Sequence, residues 1–151
     1  MKKVLLVSSS GGHFAELNKI NLDEKYQKII VTEKNKDTIG QKNVDYYVIY
    51  GSRKKLIKYL FIFLLNSLKA LKIIVLNNPQ MIISTGAHSC VPFFIIGKLL
   101  KKKTIYIESF AKVTTPSLTY KIAHKFMDEV VVQHEEMLKV YPNAKYYGGI
   151  Y

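Results

Sequence analysis

Three short polar turns interrupt an otherwise apolar sequence, and each holds residues able to do chemistry: Ser8-Ser9-Ser10-Gly11-Gly12-His13, Ser84-Thr85-Gly86-Ala87-His88-Ser89 and Ile107-Glu108-Ser109-Phe110-Ala111. In the first, the free backbone N–H groups and positive dipole end expected of a helix start suit an anion such as phosphate. Gly11 and Gly12 let the backbone approach a ligand closely, and Ser10 adds a hydroxyl. His13 is expected in the first helical turn, facing the crevice, with the dipole favouring a neutral ring that could accept a proton. The alternative is a capping or packing histidine. The G-x-G-x-x-G spacing of dinucleotide sites is absent, so Glu33 is discounted as a ribose-binding acid; the P-loop lysine pattern is absent too.

The second turn offers Gly86 and Ser89 as further anion contacts. Ser89 is expected to cap the next helix, with Pro92 early in it; His88 reads as a loop residue. In the third turn, Glu108 ends a buried strand, where a carboxylate is costly unless paired or used. It is a second catalytic candidate, with Ser109 beside it as an acceptor contact. The alternative for Glu108 is a structural acceptor for loop N–H groups. These residues call for no metal and no cofactor.

Strands must carry these turns. Short apolar runs are expected at Val4–Val7, Lys28–Val31, Tyr46–Ile49, Met81–Ser84, Thr104–Ile107, Val130–Val132 and Tyr146–Tyr147, with helices at Gly12–Ile20, Lys54–Asn77, Val91–Lys101 and Ser117–Phe126. The alternation predicts an α/β fold: a Rossmann-like, doubly wound, mainly parallel sheet, with ligands at the carboxyl ends of its strands. The 151 residues, 48% of them hydrophobic, fit one domain over 1–151 and argue against disorder. Four apolar residues after Met-Lys-Lys fall far short of a signal-peptide core, and the lone Cys90 fits a reducing compartment. A net charge of +12 asks for a polyanionic partner: nucleic acid, an anionic membrane surface or a phosphorylated substrate. Nucleic acid is not expected, because the aromatics lie in apolar runs and no nucleic-acid motif appears.

Residues 53–77 read RKKLIKYLFIFLLNSLKALKIIVLN. At helical period Lys55, Lys58, Asn66, Lys69 and Asn77 share one stripe, with Ile62 and Ile73 in it. Between Tyr59 and Leu65 the helix is apolar all round, more than a sheet can bury. Asn66, Lys69 and Lys72 argue against a membrane span, so the expectation is an interfacial helix with Lys54, Lys55, Lys58, Phe61 and Phe63 at an anionic membrane. A long core helix is the alternative.

In order, SSSGGHFAEL, TGAHSCVPF, IYIESFAKVTTPSLTYKIAH and VVVQHEEMLKVYPNAKYYGG resemble one family over almost the whole chain. This is the membrane-associated accessory subunit of the two-part UDP-N-acetylglucosamine transferase of lipid-linked oligosaccharide synthesis, with bacterial counterparts in capsule and exopolysaccharide synthesis. The sequence is more distantly similar to the amino-terminal half of the lipid II-forming transferase. The resemblance implies the amino-terminal half of a GT-B glycosyltransferase, peripheral on the inner face of the cell membrane. It would bind a polyprenyl-diphosphate-linked sugar acceptor and recruit a donor-binding catalytic subunit, being inactive alone. Gly11, Gly12 and His13 match the family's glycine-glycine-histidine turn, and Glu108, Ser109 and Phe110 its glutamate-serine-phenylalanine turn. Gly148 and Gly149, with Tyr151, match the end that meets the partner chain. Two departures stand out: Gly86-Ala87-His88 replaces a glycine-proline-glycine, and the amino-terminal membrane segment of eukaryotic members has no counterpart, so anchoring is expected from elsewhere. The rivals are a self-sufficient nucleotide-sugar enzyme, which would be active as one chain, and a basic nucleic-acid module, which would bind RNA with steep salt dependence.

Overall fold

A computed structural model describes residues 1–51 and 56–150. Among these residues seven strands form one parallel sheet: β1 (Lys2–Ser8), β2 (Tyr26–Lys34), β3 (Tyr46–Ile49), β4 (Met81–Gly86), β5 (Lys103–Ile107), β6 (Glu129–Val132) and β7 (Lys145–Tyr146). The spatial order is β3-β2-β1-β4-β5-β6-β7. The expected Rossmann-like winding is present, and the order reverses between β1 and β4, the switch point outside whose carboxyl ends such folds bind ligands. The first and second polar turns leave the sheet there.

Alternation along each strand sorts the core into two layers. Val4 and Leu6 of β1 meet Phe14 and Leu17 of α1 (Gly12–Asn18) on one face. Leu5 and Val7 meet the other face, covered by α2 (Leu56–Asn77), α3 (Val91–Leu99) and α4 (Leu118–Ala123). A 3-10 turn, His88–Cys90, precedes α3, so Cys90 rather than Ser89 occupies the cap position. Another, His124–Phe126, ends the helix expected to run through Phe126.

α2 departs from its expected orientation. Asn66, assigned from sequence to a polar stripe, is 4% exposed. Its carboxamide completes the free edge of β3: Ile49 N–H donates to Oδ1 and Nδ2 donates to the Ile49 carbonyl, both at 2.8 Å. Ile62 and Ile73 are buried on the same side. Phe63, expected at the membrane, is half-buried against the core and beside Tyr59. The outward face is apolar instead, carrying Ile57, Leu60, Phe61, Leu64, Leu68 and Val75. By length and composition alone these 22 residues would suffice to cross a membrane, and 28% of the helix's most apolar stretch is buried. Lys58 is exposed, whereas Lys54 and Lys55 lie outside the described residues.

Candidate functional site

The site begins with the break after β1. Gly11 has φ +75°, a left-handed backbone where a side chain would be strained, and this redirects the chain into α1. A Cβ on Gly12 would meet nothing within 4 Å, so this turn faces open space. Among the described residues no side chain caps α1, which leaves its first N–H groups without a side-chain acceptor.

His13 is fixed by β4. Its Nδ1 lies 2.7 Å from the Thr85 carbonyl, and Thr85 Oγ1 donates back to the His13 carbonyl at 2.7 Å. A carbonyl only accepts, so Nδ1 carries the hydrogen and, in the neutral ring, Nε2 keeps its lone pair. Gly86 leaves room for this ring: a Cβ there would sit 3.1 Å from His13 Cε1. Ser9 N–H donates to the Gly86 carbonyl at 2.9 Å, binding the two turns together. Cys90 beneath them donates its thiol to the same carbonyl, and burial pushes its pKa up to about 12, so it stays a protonated packing group.

Two buried carboxylates buttress the crevice. Glu33, 1% exposed, accepts from Ser10 N–H at 3.3 Å and Ser10 Oγ at 3.2 Å. Its other oxygen lies 3.8 Å from His88 Nε2, and the His88 ring packs against Tyr59. Glu16 reaches from α1 to accept from Ser109 Oγ at 2.9 Å and Phe110 N–H at 3.1 Å. Sequence reasoning discounted Glu33 and passed over Glu16. The available signal was a charge closing the Ile29–Thr32 run in one case; in the other, a glutamate between Phe14 and Leu17 reads as a solvent-facing position.

Glu108, the second catalytic candidate, has the surroundings of its alternative reading, an acceptor for loop donors. It is 1% exposed, and its carboxylate accepts from the hydroxyls of Tyr106 and Tyr141 and the N–H groups of Ser109 and Ser117. Burial first, then the adjacent Glu108 charge, pushes the Tyr106 and Tyr141 pKa values above the ordinary phenol value, so both stay donors. A carboxylate enclosed by four donors organises loops and has no open side for a substrate. Ser109 also turns inward, donating to Glu16 and Glu108, and Ser89 is buried at 3% exposure, so neither faces the crevice as an acceptor contact. Ser10 gives its hydroxyl hydrogen to Glu33. Gly148 and Gly149 end the described chain near β6, where Ile150 N–H donates to Gln133 Oε1 at 3.1 Å; Tyr151 lies outside the described residues. The structure thus brings Ser10, Gly11, Gly12, His13 and Gly86 into one crevice and sets Glu108, Ser109 and Ser89 behind it.

Residues 4–150 match the family model described as oligosaccharide biosynthesis protein Alg14 like. The UDP-N-acetylglucosamine transferase subunit alg14 of Schizosaccharomyces pombe is 36% identical over 75 residues, covering 46% of this chain and 36% of that protein. The corresponding subunit of Saccharomyces cerevisiae is 27% identical over 181 residues, covering 97% and 76%. The chain spans about a third of the length of the first curated relatives it matches. Among solved structures, MurG of Acinetobacter baumannii is similar with TM-score 0.69 and 14% identity, over 90% of this chain and 43% of that one. The UDP-GlcNAc 2-epimerase of Methanocaldococcus jannaschii gives TM-score 0.71 and 10% identity, over 97% and 45%. These two likenesses concern the fold: one half of a two-domain GT-B-type chain.

Proposed function

The chain belongs to the Alg14-like family of oligosaccharide biosynthesis proteins, and from that premise we propose that it is one subunit of a heteromeric, UDP-sugar-dependent glycosyltransferase. In this reading it holds a polyprenyl-diphosphate-linked sugar acceptor at the membrane, while a separate chain binds the nucleotide sugar. The observation that carries it is the His13 ring, locked by Thr85 with Nε2 as acceptor beside an open diglycine turn.

The acceptor diphosphate lies against the N–H groups of Gly11 and Gly12, which places the sugar hydroxyl within reach of His13 Nε2. As the hydroxyl oxygen bonds to the anomeric carbon, the bond from that carbon to UDP breaks and Nε2 takes the hydroxyl proton. General-base help of this kind contributes about 10²–10⁴-fold. Ser10 and Gly86 shape the cradle without touching the reacting atoms. The apolar face of α2, with Phe61 and Lys58, meets the inner leaflet, and residues 148–151 meet the partner. Capsule or exopolysaccharide is the product class we propose, because bacterial counterparts of the family that the motif series resembles serve those syntheses. The test is reconstitution with a candidate donor-binding chain of the same organism: transfer from a UDP-sugar to a polyprenyl-diphosphate acceptor requiring both chains supports the reading. Transfer by this chain alone, or none with both, refutes it.

A further inference from the structure

Beside α2, at the edge of β3, Tyr46, Tyr47, Lys69, Lys72, Ile73 and Leu76 line a cavity of about 230 Å³ that the acceptor crevice does not use. Its donors are set by the fold. Lys69 Nζ is held over it by the Tyr47 carbonyl at 3.3 Å, which leaves two ammonium hydrogens. Tyr46 Oη already accepts from Asn77 Nδ2 at 3.1 Å, so its own hydrogen is available to donate. Tyr47 is spent, its hydroxyl donating to the Thr38 carbonyl at 2.6 Å. Lys72 stands one turn from Lys69 on the same flank, and among the described residues neither lysine has a salt bridge. Ile73 forms a buried floor and Leu76, 64% exposed, an apolar rim.

The position gives the ligand. At helical pitch, Lys58, Lys69, Lys72 and Leu76 run along one border of the exposed stripe of Ile57, Leu64, Leu68 and Val75. If that stripe enters the acyl region, this border lies at headgroup depth, where lysines meet lipid phosphates. We infer that Tyr46, Lys69 and Lys72 form a binding site for the phosphate of an anionic phospholipid headgroup. Two ammonium groups and one phenol can share the two non-bridging oxygens of one phosphodiester, whose tetrahedral spread suits donors arriving from three directions better than a flat carboxylate does. The inference rests on the membrane reading above, and its test separates the two.

The full chain is floated with phosphatidylcholine vesicles carrying either phosphatidylglycerol or a carboxylate-headed anionic lipid at equal surface charge. The wild type should bind the phosphate-headed vesicles about fivefold more tightly. Tyr46→Phe, which leaves the charge unchanged, and the pair Lys69→Gln with Lys72→Gln should each remove that preference. Lys58→Gln, about 16 Å away along the helix, should weaken binding to both vesicle types alike. Equal affinity for the two lipids, or a preference that survives Tyr46→Phe, overturns the site. Should the chain float with neither, the membrane reading fails, and titration with glycerol 3-phosphate followed by NMR decides what remains. Shifts at Tyr46, Lys69 and Lys72 would then reassign the site to soluble phosphoesters and overturn the lipid, and no shifts would overturn the site itself.

Discussion

His13 and Thr85 hold each other twice: the ring N–H of His13 meets the Thr85 carbonyl, and the Thr85 hydroxyl meets the His13 carbonyl, each at 2.7 Å. This reciprocal pair spans the point where the strand order reverses, so the tautomer of one side chain is set by the junction of the two half-sheets. Packing alone would fix the ring's position without requiring a particular nitrogen to be protonated.

If Nε2 is the base, His13→Ala in the assembled two-chain enzyme should lower kcat and kcat/KM together, by about 10²-fold or more. The acidic limb of the rate profile should disappear with it. A loss confined to acceptor KM would instead make His13 part of the diphosphate cradle. Wild-type kinetics with the limb intact would leave it a packing residue.

Gly12 tests the cradle separately. Since a Cβ there meets none of the described residues within 4 Å, Gly12→Val should leave the melting temperature within a few degrees of wild type. It should nonetheless raise acceptor KM, because the branched side chain stands where the diphosphate must approach. Unchanged KM in a normally folded variant would place the acceptor elsewhere.

The strand turns were legible because apolar runs of four or five residues ending in glycine or serine have few other readings in a parallel sheet. Gly11, Gly12 and His13 could be grouped from sequence because they are consecutive. The contacts that arm His13 could not, because Thr85 lies 72 residues away and acts through a backbone carbonyl, which every residue has. For Glu108 two readings stay open in the sequence for a related reason. A buried carboxylate signals either chemistry or a set of donors, and its donor Tyr141 lies 33 residues away. Asn66 was placed outward because its polarity was weighed without the free edge of β3 that it completes.

Glu108 and its tyrosines should therefore report on stability. Glu108→Ala strands several buried donors and should cost about 3 kcal/mol or more, lowering the melting temperature by roughly 6–12 °C in a chain of this size. The Tyr106 and Tyr141 pKa values are raised in the folded state by burial and by Glu108, so their contribution is fully present below the unfolded phenol value of about 10. It is lost as pH rises through the folded values. Melting temperature should fall above about pH 10, and the fall should be shallower in Tyr141→Phe than in the wild type. An identical alkaline slope in that variant would exclude Tyr141 as a source.

The two faces of α2 make opposite predictions for neighbouring phenylalanines. Phe61 is 61% exposed on the apolar stripe, whereas Phe63 packs into the core layer under α2. Placing a charge at the outer position should weaken vesicle binding without disturbing the fold, because the protein makes no core there. Phe61→Asp together with Leu64→Asp should reduce flotation with anionic vesicles at least tenfold, since burial of each large apolar side chain is worth about 1.5–3 kcal/mol. Their melting temperatures should stay near wild type. Phe63→Ala should behave in reverse, with near-normal flotation and a loss of about 1.5–3 kcal/mol in unfolding free energy, measured by urea titration. Flotation that follows Phe63 and ignores Phe61 would mean that the helix turns its other face to the lipid. Flotation of none of the three proteins, wild type included, would mean that the exposed stripe is covered by a protein partner.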